Sequence, residues 1–262
     1  MKEVLVKALK EAGKIQRDQF NKVHTIDQKE SISSIVTEVD ILCDKVITDI
    51  IRQTYPLHTI LTEESGLTVT DSIYTWVVDP LDGTSNFAAG VPWFGVLIAV
   101  FEHNQPILAG AYLPIDDLLY IAEAGKGAFV NDKKLTIENK LLKNELVAFS
   151  VDYTEDTVFL SKGLELYRFV IEHARNVRCT NSLVDLLLVA EGKFGGVINL
   201  FAKIWDVAAP YLIIKEAGGL MKNINGTPLV FHIRKEDIGL NYPIIAGSEA
   251  IIKELESRLS QF

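Results

Sequence analysis

Apolar residues recur along the chain at two different spacings, which predict where helices and strands lie. In residues 2–20 the apolar positions follow one another at intervals of three and four, which is typical of an amphipathic helix. Residues 37–54 show the same period, with Thr37 placed as an N-cap and Pro56 beyond the end. The chain is therefore predicted to begin with two helices that each bury one face.

Apolar runs dominate the next part of the chain and predict strands. HTILTEES (58–65) reads as a short strand that leads into a polar loop. Five further runs follow: TWVVD, FGVLIAVFE, QPILAGAYLP, DLLYIAEA and GAFVNDKKLTI. Gly, Pro and Asn-Asp signals separate these runs, which indicates an antiparallel meander.

From about residue 146 segments with the apolar spacing of helices alternate with short apolar runs typical of strands. Pro210 is expected in the first turn of the last internal helix, where proline is tolerated. We predict an α+β half, residues 1–145, fused without a flexible hinge to an α/β half, residues 146–262. The predicted strands are 146–151, 194–199 and 243–247, and the predicted helices are 157–175, 181–191, 206–217 and a C-terminal helix with Ser248 as N-cap.

Composition narrows the class of protein. The 262 residues are 48% hydrophobic and 23% charged, which suits a globular chain with a sizeable core. The net charge of −9 argues against a nucleic-acid surface and means that a phosphate ligand would need metal cations to hold it. The longest apolar run, 94–101, is too short to span a membrane. Cys43 and Cys179 form no CxxC pair, and with no signal peptide in the sequence they indicate reduced thiols in a cytoplasmic protein.

Carboxylates stand at the ends of several predicted elements. Glu63 and Glu64 lie at the end of one predicted strand. In WVVDPLDGTSNF, Asp79 and Asp82 lie where the next apolar run ends. Asp206 lies where a helix is predicted to start. A solvated loop would explain the glutamate pair, and helix capping would explain Asp206. For these three residues a purely structural role therefore stays open beside a role in a functional site.

The stretch DPLDGT holds more polar groups than a turn requires. Pro80 fixes φ, Gly83 permits a positive φ, and one aspartate can make an Asx-turn. A turn does not explain the second aspartate or Thr84. Two neighbouring carboxylates repel each other unless a cation lies between them, and carboxylates with the Leu81 carbonyl are the hard oxygen ligands that Mg²⁺ prefers. The sequence contains no HExxH, GxSxG, P-loop or GxGxxG motif that would point to another chemistry.

TEES, WVVDPLDGTSNF and WDVAAPYLIIKEAGG together resemble the three signatures of the inositol monophosphatase family, part of the metal-dependent, lithium-sensitive sugar phosphatases. The resemblance covers nearly the whole chain, in order and with family-like spacing. It implies a layered αβαβα fold, with an antiparallel-sheet half packed on a mixed-sheet half. It also implies hydrolysis of a small phosphate monoester by metal-activated water, inhibition by lithium, and a homodimer. The charge and the short apolar runs add the expectation that the protein binds neither nucleic acid nor membrane.

The resemblance implies five metal-binding groups. Asp79 would bridge two ions, with the Leu81 carbonyl on one ion and Asp82 on another. Glu63 would be shared between metals, and Asp206 would be the remaining ligand from the second half of the chain. The implied cofactor is Mg²⁺, with two or three ions per site.

Other residues are implied to handle the water and the phosphate. Asp40 would pair with Thr84 to activate the attacking water, and Glu64 would be a carboxylate next to that water. Gly83 and Thr84 would contact the phosphate at the start of a helix, where backbone N–H groups favour anions. Lys29 falls at the lysine position of the family's mobile loop, although a surface lysine is an equally simple interpretation.

The leaving-group pocket departs from the family. The family carries a Gly-Ser/Thr-Ala stretch where this chain has Thr180, Asn181 and Ser182, and a glutamate where it has Asn199. A neutral amide can donate as well as accept, so the pocket would prefer different polar groups, although neutral drift is an equally simple explanation. The implied substrate-binding residues are Gly83, Thr84, Ser85, Thr180, Asn181, Ser182, Asn199 and Asp206.

Inositol monophosphate, or a related polyol or sugar phosphate, is therefore the first expected substrate. A 3′(2′),5′-bisphosphate nucleotidase and a histidinol-phosphate phosphatase remain alternatives, although Ser85 stands where those branches commonly carry lysine after DGT. A regulatory, protein-binding member of the same fold is the alternative from outside the enzymes.

Overall fold

The computed structural model describes residues 1–22, 24–29 and 35–259. Within these residues the helices are α1 (Lys2–Gln19), α2 (Glu38–Thr54), α3 (Thr84–Ala88), α4 (Thr157–His173), α5 (Leu183–Ala190), α6 (Ile204–Glu216) and α7 (Glu249–Leu259). The strands are β1 (Ile26–Gln28), β2 (Ile35–Thr37), β3 (Thr59–Thr62), β4 (Gly66–Thr68), β5 (Tyr74–Asp82), β6 (Gly95–Glu102), β7 (Gln105–Leu113), β8 (Leu118–Glu123), β9 (Gly127–Val130), β10 (Lys133–Lys134), β11 (Leu146–Ser150), β12 (Asn176–Arg178), β13 (Gly196–Asn199), β14 (Leu220–Asn223) and β15 (Ile244–Gly247). None of the helices in the described residues is long and apolar enough to cross a membrane.

The elements stack in five layers, α-β-α-β-α, as the family resemblance implied. Helices α1 and α2 cover one face of an eight-stranded sheet, and α5 and α6 cover its other face. The opposite side of α5 and α6 packs on a five-stranded sheet, whose outer face carries α4 and α7. A central pair of helices therefore joins the two sheets through one continuous core.

The eight-stranded sheet has the order β10-β9-β8-β7-β6-β5-β3-β4. Its central strands read as unbroken apolar runs because both faces are buried. Trp76 and Val78 of β5 pack towards α1 and α2, whereas Val77 between them packs towards α5 and α6. The expected antiparallel meander is confirmed from β5 to β10, while β3 joins β5 in parallel.

The five-stranded sheet is mixed, with the order β12-β11-β13-β15-β14. Strands β12, β11 and β13 run parallel, whereas β15 pairs antiparallel with both β13 and β14. The parallel register sets Ser150 at the end of β11 opposite Asn199 at the end of β13. The loops that follow these two strands therefore leave the sheet side by side.

Two expectations about local structure were wrong. The buried run at residues 76–78 does not end at Asp79, because β5 continues to Asp82 through an irregularity in its pairing with β6. Helix α6 begins at Ile204, two residues early, so Asp206 is its third residue rather than its N-cap. Pro210 consequently lies inside the helix rather than in its first turn.

Candidate metal and phosphate site

A β-bulge in β5 presents the two aspartates of the DPLD motif. Asp79 pairs with Leu97 and Asp82 pairs with Gly95, so β5 carries one more residue than β6 between these pairs. Bulges of this kind bend a strand and re-aim its side chains, and they tolerate proline because the ladder is already interrupted. The Asp79 Oδ1 accepts a hydrogen bond from the Leu81 amide at 3.0 Å, which is the expected Asx-turn.

Gln16 of α1 forms hydrogen bonds to both strands at the bulge. Its side chain is fully buried, and its Nε2 donates to the Pro80 carbonyl at 2.8 Å and to the Gly95 carbonyl at 3.1 Å. These two carbonyls belong to the two strands that the bulge separates. A single amide group therefore supplies donors where the sheet ladder cannot.

Gly83 turns the chain from the bulge into α3. Its φ is +85°, in the left-handed region, and it is the N-cap of α3. A Cβ at this position would lie 2.5 Å from the Trp93 carbonyl oxygen. Both the conformation and the lack of space require glycine here. The turn leaves Thr84 as the first residue of α3.

Three carboxylates from both halves of the chain meet in one place. Asp79, Asp82 and Asp206 each offer an oxygen, and these oxygens all lie within 4.8 Å of one another. Asp206 is held by the Lys203 amide, which donates to its Oδ2 at 2.6 Å. The Leu183 amide, at the start of α5, donates to the Asp82 Oδ1 at 2.6 Å. Backbone donors of the two central helices thus orient the cluster, which we call the acidic triad.

Burial and mutual repulsion raise the pKa values of the acidic triad. Burial is the main cause for all three, and the charge of Glu63 adds to it for Asp79 and Asp82. The pKa of Asp79 lies well above its usual range, and those of Asp82 and Asp206 are raised to about 7. Hard oxygen donors that are buried, close together and mutually repelling fit a bound divalent cation such as Mg²⁺.

Lys29 lies at the site rather than on a remote surface. Its Nζ donates to the Glu63 Oε1 at 2.7 Å and also contacts the Glu64 carboxylate. Burial lowers the pKa of Lys29, but the two glutamates outweigh this effect and raise it. Burial raises the pKa of Glu64 to about 7 although Lys29 opposes it. The glutamate pair is therefore a part-buried ion-pair cluster and not a solvated loop.

Thr84 connects the acidic triad with α2. Its hydroxyl lies 2.9 Å from the Asp40 Oδ1 and 3.0 Å from the Leu81 carbonyl oxygen, two acceptors for one proton. The other oxygen of Asp40 accepts from both the amide and the hydroxyl of Thr37, as part of the capping box of α2. Burial raises the pKa of Asp40, although these hydrogen bonds lower it. The same carboxylate therefore caps a helix and faces Thr84.

A cavity of about 190 Å³ opens above the acidic triad. Asn86, Asp152 and Phe201 also line it, and the sequence analysis missed all three. Asp40, Glu64 and Thr180 do not line this cavity. The predicted site residues that line it are Glu63, Asp79, Leu81, Asp82, Gly83, Thr84, Ser85, Asn181, Ser182, Asn199 and Asp206.

Three of the predicted leaving-group residues, Asn181, Ser182 and Asn199, line this cavity, whereas Thr180 does not. Asn181 has a φ of +53°, and its Nδ2 donates to the Asp152 Oδ1 at 3.0 Å. The Asn199 Oδ1 accepts from the Phe201 amide at 3.0 Å, and within the described part of the chain no hydrogen-bond acceptor engages its NH₂ group. The Thr180 carbonyl accepts from the Asn86 side chain at 2.9 Å. Apart from the metal-binding carboxylates, the lining thus combines the carboxylate of Asp152 with the neutral amides of Asn86, Asn181 and Asn199.

A sequence model described as the Inositol monophosphatase family matches residues 1–260 of this chain. The chain belongs to the inositol monophosphatase family. A relative called Nus factor SuhB, from Pasteurella multocida, is 34% identical over 99% of this chain and 95% of its own length. Inositol monophosphatase 2 from Solanum lycopersicum is 35% identical over 86% of this chain and 88% of its own.

A solved structure has the same fold. The crystal structure of the extragenic suppressor protein suhB from Bartonella henselae covers 99% of this chain and 98% of its own, with a TM-score of 0.89 and 30% identity. The layered architecture and the family membership inferred from TEES, DPLDGT and WDVAA are therefore confirmed. The names of the relatives include both a phosphatase and a Nus factor, so family membership leaves the activity of this chain to be argued from its site.

Proposed function

We propose that this protein hydrolyses a small phosphate monoester in a Mg²⁺-dependent reaction. The observation that carries the proposal is the acidic triad, two buried carboxylates and one half-buried carboxylate that stand beside the Thr84 hydroxyl and line one cavity. Asp79, Asp82, Asp206, Glu63 and the Leu81 carbonyl are the groups that would hold the metal. Bound Mg²⁺ would neutralise charge on the phosphate and acidify water.

The remaining groups of the site handle protons and position the phosphate. Asp40 has a raised pKa and accepts from the Thr84 hydroxyl, so a proton from water can pass through Thr84 to the Asp40 Oδ1. Glu64 is a further carboxylate close to the site, with a pKa near neutrality. The backbone at Gly83 lines the cavity and would contact a phosphate. No side-chain nucleophile is needed for this chemistry.

Inositol monophosphate serves as the reference substrate for this proposal, because the chain belongs to the family named for that activity. Asn199, Asn181 and Asp152 surround the place where a leaving group would lie. These side chains offer both donors and acceptors to hydroxyl groups. Lithium inhibition is part of the same proposal, and phosphate release measured at increasing Li⁺ tests it.

The test is phosphate release from a panel of esters: inositol monophosphate, adenosine 3′,5′-bisphosphate, fructose bisphosphate and histidinol phosphate. We expect Mg²⁺-dependent turnover of at least one of them. Asp79→Asn should lower kcat by at least about a hundredfold and weaken Mg²⁺ binding in calorimetry, because it removes charge from the triad. Asp71→Asn, at an exposed aspartate before the same strand, is the matched control. Wild-type turnover in Asp79→Asn, or no turnover of any ester, contradicts the proposal.

A second candidate function is supported by the relatives named Nus factor SuhB. A name of this kind points to binding of a protein partner in transcription. The acidic triad supports catalysis more directly, because a binding surface does not need three repelling carboxylates gathered in a cavity. Pull-down of transcription proteins by both the wild type and Asp79→Asn, combined with no turnover, would favour the second candidate.

A further inference from the structure

Asp185 is a buried carboxylate that the proposed reaction does not use. It is the third residue of α5, is 1% exposed, and does not line the cavity above the acidic triad. Its Oδ2 accepts from two neutral donors, the Thr180 amide at 3.2 Å and the Ser150 hydroxyl at 3.4 Å. Its Oδ1 has no hydrogen-bond partner among the described residues. A carboxylate buried in this way costs stability, so its presence indicates a role other than stability.

The donors to Asp185 come from separate segments of the chain. Ser150 ends β11, whereas residues 180–182 form the loop that leads into α5. Burial raises the pKa of Asp185, and hydrogen bonds from the amides of Thr180 and Asn181 lower it. The carboxylate therefore joins the end of β11, the loop at residues 180–182 and the first turn of α5.

The loop at residues 180–182 supplies two side chains to the cavity, those of Asn181 and Ser182. Asn181 has a φ of +53°, a left-handed conformation that a non-glycine residue keeps only when its surroundings hold it there. Its Nδ2 donates to the Asp152 Oδ1 at 3.0 Å. Without the hydrogen bonds to Asp185, the loop would be free to leave this conformation and to carry both side chains away from the cavity.

Thr180 is held from two sides. Its amide donates to Asp185, and its carbonyl accepts from the Asn86 Nδ2 at 2.9 Å. Asn86 belongs to α3, the helix that begins with Thr84. The backbone of Thr180 thus connects the loop with the helix at which the phosphate is expected, and Asp185 fixes the side of the loop that α3 does not reach.

We propose that Asp185 is a positioning residue for the leaving-group side of the site, which acts through the amides of Thr180 and Asn181 and keeps Asn181 and Ser182 in the wall of the cavity. This inference rests on the proposed phosphatase function. The hydrogen bonds of Asp185 go to the loop rather than to the acidic triad, so its loss should weaken substrate binding more than it slows the chemical step. The role needs an acceptor oxygen and not a charge, because the donors are neutral amides.

Two variants separate the acceptor from the charge. Asp185→Asn keeps an oxygen for the loop amides, Asp185→Ala removes it, and both remove the charge. For the ester that the wild type hydrolyses fastest, Asp185→Ala should raise KM about five- to tenfold, the loss of about one hydrogen bond, with kcat within about threefold. Asp185→Asn should keep KM within about twofold of the wild type. Hydrogen exchange of the amides at residues 180 and 181 should become about tenfold faster in Asp185→Ala only.

Two further variants show whether the effect passes through the loop. Asp156→Ala is the matched control, because Asp156 also accepts backbone amides at the start of a helix but does not line the cavity. It should lower Tm and leave KM unchanged. In a chain that already carries Asn181→Ala, adding Asp185→Ala should raise KM by no more than about twofold, because the side chain that Asp185 positions is gone.

The possible results separate the inference from the proposed function. If Asp185→Ala keeps the wild-type KM, if Asp185→Asn raises KM as much as Asp185→Ala, or if kcat alone falls, the inference is overturned while the phosphatase function stands. If Asp185→Ala does not fold, Asp185→Val, which leaves a smaller cavity, takes its place. If the wild type hydrolyses no ester, the phosphatase function is overturned, and amide exchange at residues 180 and 181 then supports or overturns the positioning role by itself.

Discussion

Gln16 lies outside the acidic triad, yet its side chain contacts the bulge that carries two of the three carboxylates. Its amide group donates to the carbonyls of Pro80 and Gly95, and the side chain is fully buried. Replacing Gln16 with leucine retains the approximate size of the side chain and removes both hydrogen bonds. We therefore expect Gln16→Leu to destabilise the fold and to loosen the arrangement of Asp79 and Asp82.

The size of the effect follows from the groups left without partners. Each buried carbonyl that loses its donor costs about 1–3 kcal/mol, so two cost about 2–6 kcal/mol. The Gln16 Oε1 is itself buried without a hydrogen-bond partner among the described residues, and its removal recovers about 1–3 kcal/mol. The expected loss in free energy of unfolding is therefore about 1–3 kcal/mol, or about 2–4 °C in Tm for each kcal/mol.

Urea titration of Gln16→Leu and of Gln53→Leu measures this difference. Gln53 lies on the exposed side of α2, so its replacement should change the free energy of unfolding by no more than about 0.5 kcal/mol. Calorimetry should also show weaker Mg²⁺ binding in Gln16→Leu, because the carboxylates of the bulge lose their support. Equal stability of Gln16→Leu and Gln53→Leu, with unchanged Mg²⁺ affinity, would refute the reasoning.

Two further predictions concern the carboxylates. Asp82 and Asp206 have folded-state pKa values of about 7, above their unfolded value near 3.9, so the metal-free fold should lose stability as pH rises from about 4 to 8. Added Mg²⁺ should therefore raise Tm more at pH 8 than at pH 5 in scanning calorimetry, and a metal-free Tm that rises over this range would contradict the prediction. Ser65 donates its hydroxyl to the buried Asp44 beside the glutamate pair, so Ser65→Ala should cost about 1–3 kcal/mol in urea titration. Ser161→Ala, at an exposed position on α4, is the control for Ser65→Ala, and equal stability of the two variants would contradict the prediction.

The sequence predicted the long elements well because burial leaves a strong pattern in them. Helices α1 and α2 bury one face each, and β5 to β8 bury both, so their periods are visible in the residues alone. Short strands such as β1, β4 and β12 were missed, because two or three residues carry no period and depend on their pairing. The division into halves at residues 145 and 146 stays a prediction.

The motifs predicted which residues form the site but not the backbone structure that holds them. Pro80 and Gly83 suggested a turn, whereas β5 continues through a bulge whose support comes from Gln16, far away in the sequence. Asp206 accepts a hydrogen bond from the backbone amide of the N-cap residue Lys203 while standing at the third position of α6, so its presence in the motif did not reveal where the helix begins. Asp152 was missed because only the parallel pairing of β11 with β13 brings it to Asn199.

The acidic triad draws its members from distant parts of the chain, which matters while the protein is being made. Asp206 follows Asp82 by more than a hundred residues, so a ribosome that adds about 5–20 residues per second needs on the order of ten seconds to pass from one to the other. During this time α5 and α6 do not yet cover the apolar inner face of the eight-stranded sheet. An apolar sheet face therefore stays uncovered on the nascent chain until its last third has emerged, and exposed surface of this kind makes incomplete chains prone to aggregation.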